Sequence, residues 1–205
     1  MLDPWVRRRI EAPLAALART AAAAGWHADQ ITVAGFVVGL MAAGAVAVQA
    51  YGVALALFVL NRLLDGLDGA VARIRGATDR GGFLDITLDF LVYAALPLGF
   101  AVAEPSRNAL PAAVLLFTFI GTAGSFLAYA IFAQKHGLAT DLRGHKSLYY
   151  LGGLAEGTET AVVLALMCLW PAGFAVLAYL FAAACAVTAA TRIWAGAITF
   201  AGPRA

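Results

Sequence analysis

Charge is what this sequence has least of. Asp, Glu, Lys and Arg make up 13% of its 205 residues, about half the roughly 25% usual in a soluble domain. Set against 62% hydrophobic residues, that deficit excludes an ordinary water-soluble domain and points to a chain that lives in lipid. Cysteine is nearly absent too. Cys168 and Cys185 lie inside apolar runs with no CxxC or Cys/His cluster, which removes the usual signs of zinc or redox chemistry and leaves two buried small hydrophobes. The 3 histidines are too scattered to form a metal site. Alternating strand patterns of about ten residues are missing, so helices, not a barrel, are expected to cross lipid. The start, MLDPWVRRRIEAPL, lacks a long apolar run directly after its arginines and does not read as a cleavable signal.

What the chain does have is apolar length. Residues 4–24 mix Trp5, Ile10, Leu14 and Leu17 with Arg7, Arg8, Arg9 and Arg19, the pattern of an amphipathic helix lying in the membrane interface. A break follows near His27, with Asp29 as the expected cap of the next helix. Six apolar segments come next, near 31–50, 51–75, 82–103, 108–134, 147–170 and 172–198. Each has the length, about 20 residues, that crosses a hydrocarbon core. The expected architecture is all-α. Residues 1–26 form the interfacial helix, and residues 27–205 form a six-transmembrane-helix catalytic domain.

Orientation follows from Lys and Arg. With six spans, Arg7, Arg8, Arg9, Arg19, Arg73, Arg75, Arg80, Lys135, Arg143, Lys146 and Arg204 fall on one side, and Arg107 on the other. Both termini are therefore expected in the cytoplasm, in a multi-pass protein of the inner (cytoplasmic) membrane.

Aspartates inside apolar spans are costly and call for a role. Asp65 and Asp68 are spaced i, i+3; Asp85 and Asp89 are spaced i, i+4; each pair shares a helix face. The loop between the two helices is short, basic and contains glycine, so the helices are antiparallel neighbours and four carboxylates can converge. Carboxylates so close need compensating charge. Oxygen-only ligands select hard ions, Mg²⁺, Mn²⁺ or Ca²⁺. Gly69 and Ala72 leave room near the Asp65 face for a bulky ligand, and Arg73, Arg75 and Arg80 suit phosphate oxygens. The bland reading of the same residues is a set of caps, salt bridges and helix-packing small residues.

The pattern Asp65-x₂-Asp68-Gly69-x₂-Ala72-Arg73…Gly81-x₃-Asp85-x₃-Asp89 resembles the hallmark of the CDP-alcohol phosphotransferases. The six-span layout with its N-terminal helix is similar to that family as well. Seven residues separate Arg73 from Gly81, where family members often have eight, a one-residue difference in loop length. The resemblance implies transfer of a substituted phosphate from a CDP-linked lipid donor, such as CDP-diacylglycerol, to an acceptor hydroxyl with release of CMP, as in phospholipid biosynthesis. It implies that Asp65, Asp68, Asp85 and Asp89 hold two divalent ions, Mg²⁺ or Mn²⁺, with Asp89 also the general base. It implies a CDP site of Asp68, Gly69, Ala72, Arg73, Thr78 and Gly81. It further implies a homodimer among membrane lipids, and no nucleic-acid partner is expected.

The acceptor half is less marked. Lys135, Arg143 and Lys146 around the fourth loop are candidates for an acceptor phosphate, or plain cytoplasmic anchors. Glu156 and Glu159 fall about 14 and 18 Å into a span counted from Ser147, a depth comparable to that of Arg62. An ion pair between Arg62 and one of them is therefore expected, either structural or in contact with the acceptor. Arg192, near the cytoplasmic end of the last span, either snorkels or faces the site. Two other classes use intramembrane acids. One is a small ion-coupled transporter, although here the acids of the motif sit in two adjacent helices rather than in paired broken ones. The other is a metal-dependent lipid phosphatase, which would release inorganic phosphate.

Overall fold

The computed structural model describes residues 3–138 and 153–201, with side chains from Pro13 onward. Its regular elements among these residues are helices: α1 (Asp3–Ala23), α2 (Ala28–Ala47), α3 (Tyr51–Arg75), α4 (Asp79–Ala103), α5 (Pro105–Lys135), α6 (Gly157–Leu169) and α7 (Phe174–Thr199), with a 3-10 turn, Pro171–Gly173, before α7. Four of them, α2, α4, α5 and α7 with its preceding turn, are long and apolar enough to cross a membrane. Helix α3 is also 25 residues long, but its second half carries the charged motif and makes it less apolar.

The expected six spans are thus six helices after α1, four of which meet both length and apolarity. The fifth departs most. Helix α6 has 13 residues, about 20 Å at 1.5 Å per residue, short of the ~30 Å core. Its expected first half, with Arg143, His145 and Lys146, lies outside the described residues.

Local chemistry explains the boundaries. Helix α2 is capped by His27, not by Asp29: Gln30 Oε1 accepts a hydrogen bond from the His27 N–H at 3.0 Å. Asp29 sits in the first turn and pairs with Arg80, 3.5 Å away. Gln49, at φ 62°, makes the tight turn from α2 to α3, and its side-chain amide donates to the Ala103 carbonyl at the end of α4. Helix α3 stops at Gly76, whose φ of +100° suits a residue without a Cβ. Two residues later Thr78 caps α4, its Oγ1 accepting from Gly81 N–H at 3.0 Å.

Helix α2 packs against both α3 and α4, and α5 packs against α7; α4 meets α5, and α6 lies against α3 and α4. Small residues set the closest approach. A Cβ on Gly99 would lie 2.6 Å from the Ala43 carbonyl oxygen, and one on Gly39 would lie 2.5 Å from Val92 Cγ2, so α2 and α4 touch almost backbone to backbone. The core is filled by Phe58, Leu96, Phe100, Leu115, Leu164, Met167, Phe174 and Cys185. Phe100 stacks on Tyr51 and on Phe174, with centroids 5.7 and 4.4 Å apart, at the end of the bundle away from the charged motif. Helix α1 precedes the bundle, and its second half lays Leu14, Ala18 and Ala21 against Ala70 and Val71 of α3. Arg75 pins that arrangement, donating to the carbonyls of Ala22 and Gly25.

Candidate active site

The second half of α3, the first half of α4 and the start of α2 lie at the same end of the bundle, because each short turn reverses the chain. Between them opens a cleft lined by Thr32, Gly35, Asn61, Arg62, Asp65, Asp68, Asp85 and Asp89, with Phe36, Leu88 and Val92 as its apolar wall. All four motif aspartates therefore face one space, as their helical spacing requires.

Arg62 stands among them. It lies one turn before Asp65 on α3, so it shares that face. Its Nη2 is 2.5 Å from Asp89 Oδ1 on α4, and its Nη1 is 3.7 Å from Asp65 Oδ2. Nη1 also donates to the Tyr93 hydroxyl at 2.7 Å, and Nε donates to Asn61 Oδ1 at 2.8 Å. The guanidinium carbon is 4.8 Å from the Tyr93 ring centre and 5.6 Å from that of Phe58, within cation–π range. Asn61 is itself buried and donates to the Gly35 carbonyl at 2.8 Å, which fixes the whole group to α2.

This corrects the expected partner of Arg62. Among the described residues it pairs with Asp65 and Asp89, not with Glu156 or Glu159. Glu156 caps α6 rather than lying inside a span, and its Oε1 accepts from Gly153 N–H at 3.1 Å. Glu159 is in the first turn of the same helix. The α6 start still approaches the site: a Cβ on Gly157 would lie 3.9 Å from the Tyr93 hydroxyl. Arg192 is buried between α7 and α5, donating to the Thr122 carbonyl at 3.3 Å, with Phe126 5.7 Å away and the Glu156 charge nearby. Lys135 is exposed at the end of α5. Of the acceptor candidates among the described residues, Arg62 is the one that lines the cleft.

The expected CDP residues run outward from the cleft. Asp68 lines it, Gly69 and Ala72 follow within a turn, and the Arg73 side chain lies over Gly69, with Nη1 3.6 Å from where a Cβ would stand. A side chain at Gly81 would be crowded: a Cβ there would lie 3.1 Å from both Asp29 Oδ1 and Thr78 Oγ1.

The donor chemistry suits a hard divalent ion, with four carboxylates and the Thr32 hydroxyl around one cleft. Asp68 Oδ2 is buried without a hydrogen-bond partner, a cost that a bound cation would remove. Among the described residues, no three carboxylate, imidazole or thiol side chains are close enough together to chelate an ion by themselves. Magnesium does not need that many: one or two carboxylates with substrate phosphates commonly hold it.

Sequence reasoning missed Tyr93, Asn61 and Thr32. The signal for Tyr93 was present, since it continues the Asp85, Asp89 spacing by another four residues along α4.

Comparison with known proteins gives the site a context. The family model described as CDP-alcohol phosphatidyltransferase matches residues 26–200. The chain is 50% identical to the inner membrane protein YnjF of Escherichia coli (strain K12), over 97% of each chain. It is 35% identical over 98 residues to the archaetidylinositol phosphate synthase of Pyrococcus horikoshii, covering 47% of this chain and 52% of that one. Among solved structures, its fold is similar to the Mycobacterium tuberculosis phosphatidylinositol phosphate synthase with CDP-DAG bound, with a TM-score of 0.68 and 22% identity over 94% of this chain and 98% of that one.

Proposed function

Because the chain belongs to the CDP-alcohol phosphatidyltransferase family, whose members transfer substituted phosphate groups, we propose that its donor is CDP-diacylglycerol and its product a phospholipid of the inner membrane. The observation that carries this reading is the single cleft lined by Asp65, Asp68, Asp85 and Asp89. It is a strongly acidic space in an apolar bundle, which suits a pyrophosphate brought in with divalent counter-ions. The solved neighbour with CDP-DAG bound supports the choice of donor.

In this reading the acceptor oxygen bonds to the phosphorus that carries the lipid. The bond from that phosphorus to CMP breaks, and its electron pair leaves with CMP. Asp89 takes the acceptor proton, general-base chemistry suited to a carboxylate within reach of the hydroxyl. Asp65, Asp68 and Asp85, with Asp89, would hold divalent ions, which when bound neutralise the pyrophosphate and the departing charge. Gly69 and Ala72 let the nucleotide approach the α3 backbone, and Arg73 and Thr78 offer donors to its phosphates. All six helices after α1 cross the membrane in this reading, with both termini and the cleft on the cytoplasmic side, as the Lys and Arg placement favours. Acyl chains then stay in lipid while cytidine reaches water, and two copies pair in the membrane.

The names of the partial relative and of the solved neighbour make inositol phosphate the first acceptor to offer. Purified protein with CDP-diacylglycerol and Mn²⁺ is given inositol phosphate, glycerol phosphate, serine and phosphatidylglycerol in turn, and the lipids are separated by thin-layer chromatography. A new phospholipid with one of them is the expected result. No new lipid with any of the four, from protein that binds CDP-diacylglycerol, would overturn the phosphatidyl-transfer reading.

A further inference from the structure

Arg62 divides the four carboxylates into two unlike pairs. Asp65 and Asp89 are bridged by its guanidinium across α3 and α4. Asp68 and Asp85 line the same cleft without an ion-pair partner among the described residues. The guanidinium is not a passing surface charge. Its side chain is 18% exposed, and Asn61, the Tyr93 hydroxyl and two aromatic rings hold it in place.

We infer that Arg62 is a built-in cation that competes with one of the two divalent ions, so that the Asp68/Asp85 side loads first and the Asp65/Asp89 side loads only as these carboxylates exchange Arg62 for metal. This rests on the phosphate-transfer reading and deepens it: Arg62 is a positioning residue for that site. Loading is then ordered. An ion at Asp68 and Asp85 meets no ion-pair partner that must first give way, whereas an ion at Asp65 and Asp89 must displace, or share its ligands with, a like charge a few ångströms away. A like charge within about 4–6 Å shifts a charge equilibrium by one to three powers of ten. Removing the Arg62 charge therefore strengthens the weaker ion's binding by about tenfold or more. In the same variant Asp89 loses its strongest positional restraint, so turnover falls while metal affinity rises.

The test is Mn²⁺ binding to the purified full chain in detergent, followed by electron paramagnetic resonance of the free ion. Arg62→Gln and Arg62→Met both remove the charge. The methionine also keeps an apolar stem against Phe58 and Tyr93, so a result is available if the glutamine variant folds poorly. Arg62→Lys keeps the charge. The inference requires two unequal Mn²⁺ sites in the wild type, a weaker site at least tenfold tighter in the neutral variants, and near-wild-type binding in Arg62→Lys. A merely structural Arg62 would give weaker binding in every variant, and that result, or two equal sites in the wild type, overturns the inference. Unchanged Mn²⁺ binding in the neutral variants, with metal-dependent CMP release intact in the wild type, sinks the role of Arg62 alone. Absence of both Mn²⁺ binding and CMP release in the wild type sinks the transfer reading beneath it as well.

Discussion

Arg62 Nη2 lies 2.5 Å from Asp89 Oδ1 and so joins α3 to α4 at the depth of the acidic motif. The pair does two things. It compensates charge in a half-buried space, where an unpaired carboxylate is expensive. It also fixes the direction of Asp89, because Asn61 and Tyr93 leave the guanidinium little freedom to turn.

Asp89→Asn keeps an acceptor oxygen for Arg62 but cannot take a proton. Turnover in this variant should fall by at least two powers of ten, the low end of what general-base catalysis contributes, about 10²–10⁴-fold. Binding of a CDP nucleotide, read by calorimetry, should stay within a few-fold of wild type. Full activity in the variant would remove Asp89 from the base role.

Asp68 carries a buried oxygen without a hydrogen-bond partner. Such a group destabilises the fold by about 1–3 kcal/mol, more when charged. Asp68→Asn should therefore raise the thermal midpoint of the protein in chelator while abolishing metal-dependent activity. A lower midpoint in chelator would show that Asp68 stabilises the fold rather than serving the site.

The crossing of α2 and α4 predicts a contrast between two glycines. A Cβ at Gly99 would press on the Ala43 carbonyl oxygen at 2.6 Å, and backbone cannot yield cheaply. Gly99→Ala should cost about 1–3 kcal/mol, the usual range for overpacking. Gly44, on the exposed side of α2, has nothing within 4 Å of its Cβ position. Gly44→Ala should leave the melting temperature unchanged or slightly raised. Equal effects at both positions would contradict the close approach.

Much of the site was legible in the sequence for one physical reason. Acids are rare in apolar helices, so Asp65, Asp68, Asp85 and Asp89 stood out, and helical spacing was enough to put each pair on one face. The end of α3 at Arg75 was legible too, but α4 begins at Asp79, three residues before the expected 82, because Thr78 caps it. What failed was depth counting. Placing Glu156 inside a span that began at Ser147 brought it level with Arg62, but the helix begins at Gly157 and Glu156 is its cap. Rotation would have served better than depth: Arg62 and Asp65 are three residues apart, so Arg62 had to face α4 with the motif. Tyr93 continues the Asp85, Asp89 spacing and could have been read with them; Thr32 was not legible as a site residue, because a lone threonine in an apolar run is usually packing.

The most direct test follows radiolabelled CMP release from CDP-diacylglycerol by the purified protein, with and without Mg²⁺ or Mn²⁺ and with and without an added polar alcohol. Phosphatidyl transfer at the Asp65–Asp89 cleft predicts CMP release that requires both the metal and the alcohol and that disappears in Asp89→Asn. CMP release that needs neither, or no CMP with any alcohol from a folded, CDP-binding protein, would contradict it.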